Sequence, residues 1–199
     1  MLATSRSLSV PGKQGAALEN SLSLDGFLQD VQARAFRMAQ LATRNEQDAL
    51  DIVQDAMFKL VEKYAGHESH EWKPLFYRIL HSRINDFHRR NNVRNRYRVW
   101  LGGSDDDADS LQEDRIQTAP DQHGRTPEQL NATLQGLNDL QSALEALPFR
   151  QQQAFLLRVW EGLDVRETAQ VMECAEGSVK THYSRAIHSL REQLGEHWP

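Results

Sequence analysis

Eight basic side chains fall between residues 73 and 98: Lys73, Arg78, Arg83, Arg89, Arg90, Arg94, Arg96 and Arg98. Asp86 is the single acid among them. Aromatic rings are interleaved at Tyr77, Phe87, Tyr97 and Trp100. Guanidinium groups neutralise phosphates and release counterions, which gives affinity without sequence preference. Aromatic rings stack on unpaired bases, worth roughly 1–3 kcal/mol per base. Together they suit DNA that is partly single-stranded. The alternative for this stretch is an amphipathic core helix with a solvated arginine face.

A second set of polar residues lies near the C-terminus. Ser178, Thr181, His182 and Arg185 fall at i, i+3, i+4 and i+7, with Lys180 beside them. One helix would present them together on its first turns, where recognition helices touch base edges. Arginine reads guanine with two hydrogen bonds, and Ser or Thr reach bases or phosphates.

Catalytic and metal chemistry find less support. His67 and His70 lie three apart in a short polar stretch, Gly66–Glu71, but a metal would need further ligands. Tyr77 and Tyr97 sit near arginines, as in a recombinase, yet nothing forms a nucleophile–base pair. No catalytic residue, metal or cofactor is expected.

Helices must position these groups. Trp72, Leu75, Phe76, Ile79, Ile84 and Phe87 recur near helical spacing, and Pro74 suits a first turn. Before them, 24–43 carries an apolar stripe through Phe27, Leu28, Val31, Ala35, Met38, Ala39 and Ala42, with Asp25 as a candidate cap. Residues 48–64 bury Ala49, Ile52, Val53, Ala56, Leu60 and Val61. Their opposite side carries Asp48, Asp51, Asp55 and Glu62, with Gln54 beside them. Like charges at i,i+4 weaken a helix by a few tenths of a kcal/mol, so the stripe either faces a basic partner or is a solvated face.

The C-terminal half repeats the pattern. Leu134, Leu137, Leu140, Leu144 and Leu147 mark one helix, which Pro148 ends. Residues 150–160 form the next, with Ala154, Phe155, Leu157 and Val159 apolar and Gly162 as its stop. Residues 164–194 have the layout of a helix-turn-helix. Asp164 caps a short first helix, Ala169 is small where helices pack closely, and Ser178 is the expected cap of the second. That second helix has an apolar face of Val179, Tyr183, Ala186, Ile187, Leu190 and Leu194. The alternative is a plain helical hairpin inside a bundle.

Composition agrees with a folded, water-exposed protein: 39% hydrophobic, 26% charged, net charge −5. The negative total conceals a basic footprint between the acidic segments 46–71 and 105–128, and that local charge is what DNA would meet. No apolar run approaches the ~18 residues that span a bilayer, and no signal peptide is visible. Cys174 is the single cysteine, so no internal disulfide can form. A cytoplasmic location is expected.

The expected fold is all-α: two small helical domains joined by an acidic flexible linker, the C-terminal one a helix-turn-helix. Residues 1–23 are read as a loose tail, 24–100 as the first domain, 101–133 as the linker and 134–196 as the second domain.

Two segments resemble one family. LDIVQDAMFKLVEKY followed by LFYRILHSRINDFHRR resembles the second conserved region of bacterial RNA polymerase sigma factors. LPFRQQQAFLLRVWEGLDVRETAQVMECAEGSVKTHYSRAIHSLREQL resembles their fourth. Two domains without a third resemble the extracytoplasmic function (ECF) group.

The resemblance implies a factor without enzymatic activity that binds core RNA polymerase and directs it to promoters. It implies that Asp48, Asp51, Gln54 and Asp55 dock on the polymerase. It implies that His67, His70, Trp72, Tyr77, Arg78, Ser82, Asn85 and Asp86 melt and capture the minus-ten element, with Arg89 and Arg90 on phosphates. It assigns the minus-thirty-five element to Ser178, Lys180, Thr181, His182 and Arg185. An anti-sigma factor is a further candidate partner, and no membrane insertion is implied. The chain departs from the family at Ser82, often Asn, at His182, commonly Arg, and at Glu173, in many relatives Gly. The other reading is a stand-alone helix-turn-helix regulator, which a basic central helix and an acidic stripe do not favour.

Overall fold

The computed structural model describes the backbone of residues 12–100 and 127–195, with side chains at 23–91, 93 and 135–195. The region read as a linker falls mostly outside these residues, as do residues 1–11. All regular structure among the described residues is helical.

Three helices build the N-terminal domain: α1 (Gly12–Thr43), α2 (Glu46–Tyr64) and α3 (Ser69–Trp100). α1 reverses into α2 through Arg44, whose φ of 54° is left-handed, and Asn45, whose side chain accepts from the Asp48 amide at 2.9 Å. That cap satisfies an orphan amide of the first turn. The shared core holds Val31, Ala35, Met38 and Ala39 of α1, Ala49, Ile52, Val53, Ala56 and Leu60 of α2, and Trp72, Phe76, Leu80 and Ile84 of α3. Small residues on α1 and α2 let the backbones approach, and the large rings of α3 fill the space.

The C-terminal domain contains α4 (Pro127–Ala146), α5 (Phe149–Phe155), α6 (Val165–Met172) and α7 (Glu176–Leu194). α5 continues into a π-helical turn, Leu156–Trp160. Its core gathers Leu144, Leu147, Leu156, Leu157, Met172, Val179, Ala186 and Leu190. Pro148 ends α4 as expected, and Gly162, with φ of 65°, closes the π-turn.

Several boundaries differ from the sequence reading. α1 runs back to Gly12 and passes straight through Asp25, which is therefore not a cap. α4 starts at Pro127, inside the segment assigned to the linker. α3 starts at Ser69, so His70 and Glu71 are helical. α7 starts at Glu176 with Ala175 at the cap position, and Ser178 lies one turn inside. Val61 and Val159, placed among the apolar positions, are 44% and 47% exposed. Neither neighbouring domain covers the side of its helix on which it falls.

The two domains pack directly on one another. α3 lies against α6 and α1 against α4. The Gln152 amide donates to the Leu41 carbonyl at 3.3 Å, and Arg44 donates to the Glu145 carbonyl at 2.7 Å.

Candidate nucleic-acid interface

α2 and α3 enclose a groove of about 590 Å³. Asp48, Asp51, Gln54 and Asp55 line it from α2, and Arg83, Phe87 and Arg90 from α3. All four residues read as a docking stripe thus share one surface. They do so because Ala49, Ile52, Val53 and Ala56 turn the other side of α2 into the core. Arg83 Nε sits 3.5 Å from Asp55 Oδ2, so one acid is partly neutralised. Phe58 also lines the groove and is 74% exposed. Sequence reasoning missed it, although its phase differs from that of the buried stripe.

The residues read as a minus-ten surface divide into two groups. His67, His70, Arg78, Ser82, Arg89 and Arg90 are exposed, and Asn85 and Asp86 are half-buried. His67 Nδ1 pairs with Glu71 at 3.0 Å, and this contact holds the Glu71 carboxyl below its ordinary range. His70 pairs with Glu68 at 3.3 Å and Arg89 with Asp86 at 3.2 Å. Among the described residues no cluster of metal-binding side chains exists.

Trp72 and Tyr77 require correction. Both are fully buried. The Trp72 indole donates to the Tyr64 carbonyl at 3.2 Å and its ring lies 6.0 Å from Phe27. Tyr77 lies where α3 meets the C-terminal domain. In this arrangement both are packing residues, and neither faces DNA. The side chains of 94–100, including Tyr97 and Trp100, lie outside the described residues.

The helix-turn-helix is built from local chemistry. Asp164 Oδ1 accepts from the Glu167 amide at 2.7 Å, and Glu167 Oε2 accepts from the Asp164 amide at 2.8 Å. This reciprocal box satisfies two donors at the start of α6. α6 ends at Glu173, in the left-handed region with φ of 50°. α7 then follows, with Val179, Ala186, Leu190 and Leu194 buried. Lys180, Thr181 and Arg185 are exposed, while Ser178 and His182 are half-buried. Thr181 Oγ1 donates back to the Gly177 carbonyl at 3.0 Å. Partial burial, then the charges of Arg150 and Arg185, lowers the His182 pKa below its ordinary value, which favours the neutral ring. Burial raises the Cys174 thiol above its ordinary value, with Arg150 opposing, and thiolate is scarce there.

A polar cluster joins the domains. Glu161, at the end of the π-turn, is 3% exposed. Arg34 Nε on α1 lies 3.2 Å from its Oε1, and Lys73 Nζ on α3 lies 3.9 Å from its Oε2. Lys73 also donates to the Glu161 carbonyl. Neither carboxylate oxygen receives a well-aligned hydrogen bond, so the attraction is ionic. Burial, then the neighbouring Glu161, raises the Tyr77 pKa far above its ordinary value.

A helical pair of domains, one with an acidic groove beside a basic helix and the other a helix-turn-helix, is the architecture of a DNA-binding protein. Residues 25–94 match the family model for sigma-70 region 2, and 137–190 that for sigma-70 region 4. The two matches cover more than half of the chain, which belongs to the sigma-70 family of RNA polymerase sigma factors, in its ECF group.

It is similar to sigma factor SigV of Bacillus subtilis, 29% identical over 80% of this chain and 83% of that protein. It is similar to the ECF sigma factor SigE of Mycolicibacterium smegmatis, 25% identical over 88% of this chain and 63% of the relative. The solved structure of RpoE from Bartonella quintana, in complex with the anti-sigma factor NepR, superposes with a TM-score of 0.54 at 27% identity, over 85% of this chain and 96% of that one. CnrH, bound to the cytosolic domain of CnrY, shares the fold, with a TM-score of 0.55 at 16% identity over 92% and 94%. As a sigma factor, the chain binds core RNA polymerase and directs promoter-specific transcription initiation. Sigma factors are initiation factors rather than enzymes.

Proposed function

We propose how the work is divided among residues. The α2 groove, with Asp48, Asp51, Gln54, Asp55 and Phe58, docks on basic surface of the polymerase core. His67, His70, Arg78, Ser82, Asn85 and Asp86 meet the minus-ten element, with Arg89 and Arg90 on its phosphates. Ser178, Lys180, Thr181, His182 and Arg185 read the minus-thirty-five element from the major groove. The observation that carries this reading is the shared groove: four polar residues and an exposed Phe58 ring lie together on one side of α2.

The protein works in the cytoplasm beside the polymerase and has no catalytic activity of its own. Among the described residues no helix is long and apolar enough to cross a membrane. An anti-sigma protein is a further partner; RpoE, the relative of similar fold, was captured with one. Base flipping costs a few kcal/mol and duplex opening adds to it, so the polymerase supplies most of the binding energy.

Recovery of core polymerase by the wild type but not by Asp51→Arg/Asp55→Arg is the expected result. Equal recovery by both would remove the groove from the interface. Transcription with core polymerase on genomic promoter fragments would then map both DNA elements from the dependent start sites.

A further inference from the structure

We propose that His81 and His88 on α3 clasp the Phe149 ring of α5 as a proton-sensitive seam, which mild acidification loosens with no partner present. The seam is independent of the division of labour proposed above.

The two histidines lie seven residues apart on α3, two turns along one side of the helix. Both rings meet the same phenyl ring, that of the first residue of α5. His81 stacks on Phe149 within 18° of parallel, and His88 tilts against it with 4.5 Å between centroids. One ring of the C-terminal domain is thus held by two groups of the N-terminal domain whose charge depends on pH.

The surroundings suit neutral rings. His81 is 4% exposed; Asn85 is its partner at Nδ1, and Nε2 has none. His88 is half-buried, and its Nε2 is also without a partner. Protonation makes both nitrogens of an imidazole donors, and the seam lacks acceptors for them. The charges acting on the rings are positive: Arg150 on α5 acts on His81, and Arg44 between α1 and α2 acts on His88. The neighbouring acids are engaged elsewhere, Asp86 on α3 with Arg89 and Glu145 on α4 with Gln141. Cys174 and His182 feel the same Arg150 charge and supply no compensating anion. Burial first, and Arg150 second, push the His81 pKa down to about 4; burial and then Arg44 lower that of His88. A phenyl face attracts an imidazolium, yet here burial outweighs that attraction.

When the domains part, both rings return to water and to an ordinary value near 6.5. The open form then takes up protons that the docked form excludes. Docking is fully supported above pH 6.5 and weakens as pH falls toward 4. His81 alone shifts the docking equilibrium on the order of tenfold between pH 7 and pH 5, and His88 adds in the same direction. Arg44 and Gln152 also bond across this part of the contact, but to backbone carbonyls, which do not titrate.

The test uses the full chain with Cys174→Ser and one new cysteine. Gln152→Cys places a thiol at the seam, at the buried residue bonded to the Leu41 carbonyl. Ala56→Cys places one in the core on α2, which packs on α1 and α3. The rate of reaction with a pyridyl disulfide, relative to the urea-unfolded chain at the same pH, reads the open fraction at each site, however small. The seam thiol should react faster than the core thiol at every pH, and its open fraction should rise about tenfold from pH 7 to pH 5. His81→Gln/His88→Gln, which cannot take up the protons, should reduce that rise to under about threefold. His88→Gln alone changes a half-buried site and should reduce the rise in part, which keeps the test available if the double variant fails to fold. A flat open fraction in the parent chain would overturn the seam, as would an equal rise in the folded histidine variants. Equal open fractions at the two thiols would show that the domains melt together rather than part, and would overturn it too. No readout needs polymerase or DNA, so failure of core-dependent transcription would count against the functional reading alone.

Discussion

The imidazole of His81 on α3 stacks on the Phe149 ring of α5, with 5.9 Å between centroids and 18° between planes. The two residues belong to different domains. Burial, with the nearby Arg150 charge second, pushes the His81 pKa down to about 4. Asn85 is its side-chain partner at 3.1 Å. A histidine with a depressed folded pKa contributes stability that is complete above its unfolded value near 6.5 and is lost as pH falls toward 4. Lowering pH from 7 to 5 should therefore cost about 2 kcal/mol of stability. Thermal melts across that range would show it, and His81→Gln should flatten the dependence. A melt equally steep in that variant would assign the effect elsewhere.

Phe58 should separate binding from folding. Its ring is largely in water, so Phe58→Asp should leave the melt within about 0.5 kcal/mol of wild type. Affinity for core polymerase should fall at least about tenfold, because a charge then replaces an apolar anchor in the acidic groove. A titration showing unchanged affinity would leave the acids as the whole interface.

Trp72→Ala should act through the core. A fully buried ring whose indole is hydrogen-bonded costs about 3–5 kcal/mol when truncated. The N-terminal domain should melt early, with or without DNA. A variant that folds normally and loses only promoter opening would return Trp72 to the DNA surface.

Two substitutions test the helix-turn-helix with opposite signs. Asp164→Ala removes one half of the capping box and should cost about 1 kcal/mol. Glu173→Gly should stabilise by about 0.5–1 kcal/mol, since φ of 50° strains a residue with a Cβ. Chemical denaturation of both variants gives the two values directly.

Much of the architecture was legible because it is periodic. The spacing of Ile52, Val53, Ala56 and Leu60 sets the buried side of α2, and the acids follow on the other side by geometry alone. Asp164, Pro148 and Gly162 mark ends through properties carried by single residues. Helix starts were harder. Asn45 and Ala175 hold cap positions that composition did not single out, and α1 continues past Asp25 because no residue there breaks it.

The amino-acid order thus determined two helical domains, the acidic and basic faces of α2 and α3, and the polar first turns of α7, since each depends on contacts within a few turns. It could not determine which α3 residues meet solvent. A single helix packing on one partner buries one stripe. α3 packs on two, α1 with α2 on one side and the C-terminal domain on the other, so Tyr77 and His81 are buried as well as Phe76 and Leu80. Glu161 shows the same limit. Nothing local distinguishes it from a surface glutamate; only the approach of Arg34 and Lys73, more than eighty residues earlier in the chain, excludes it from water.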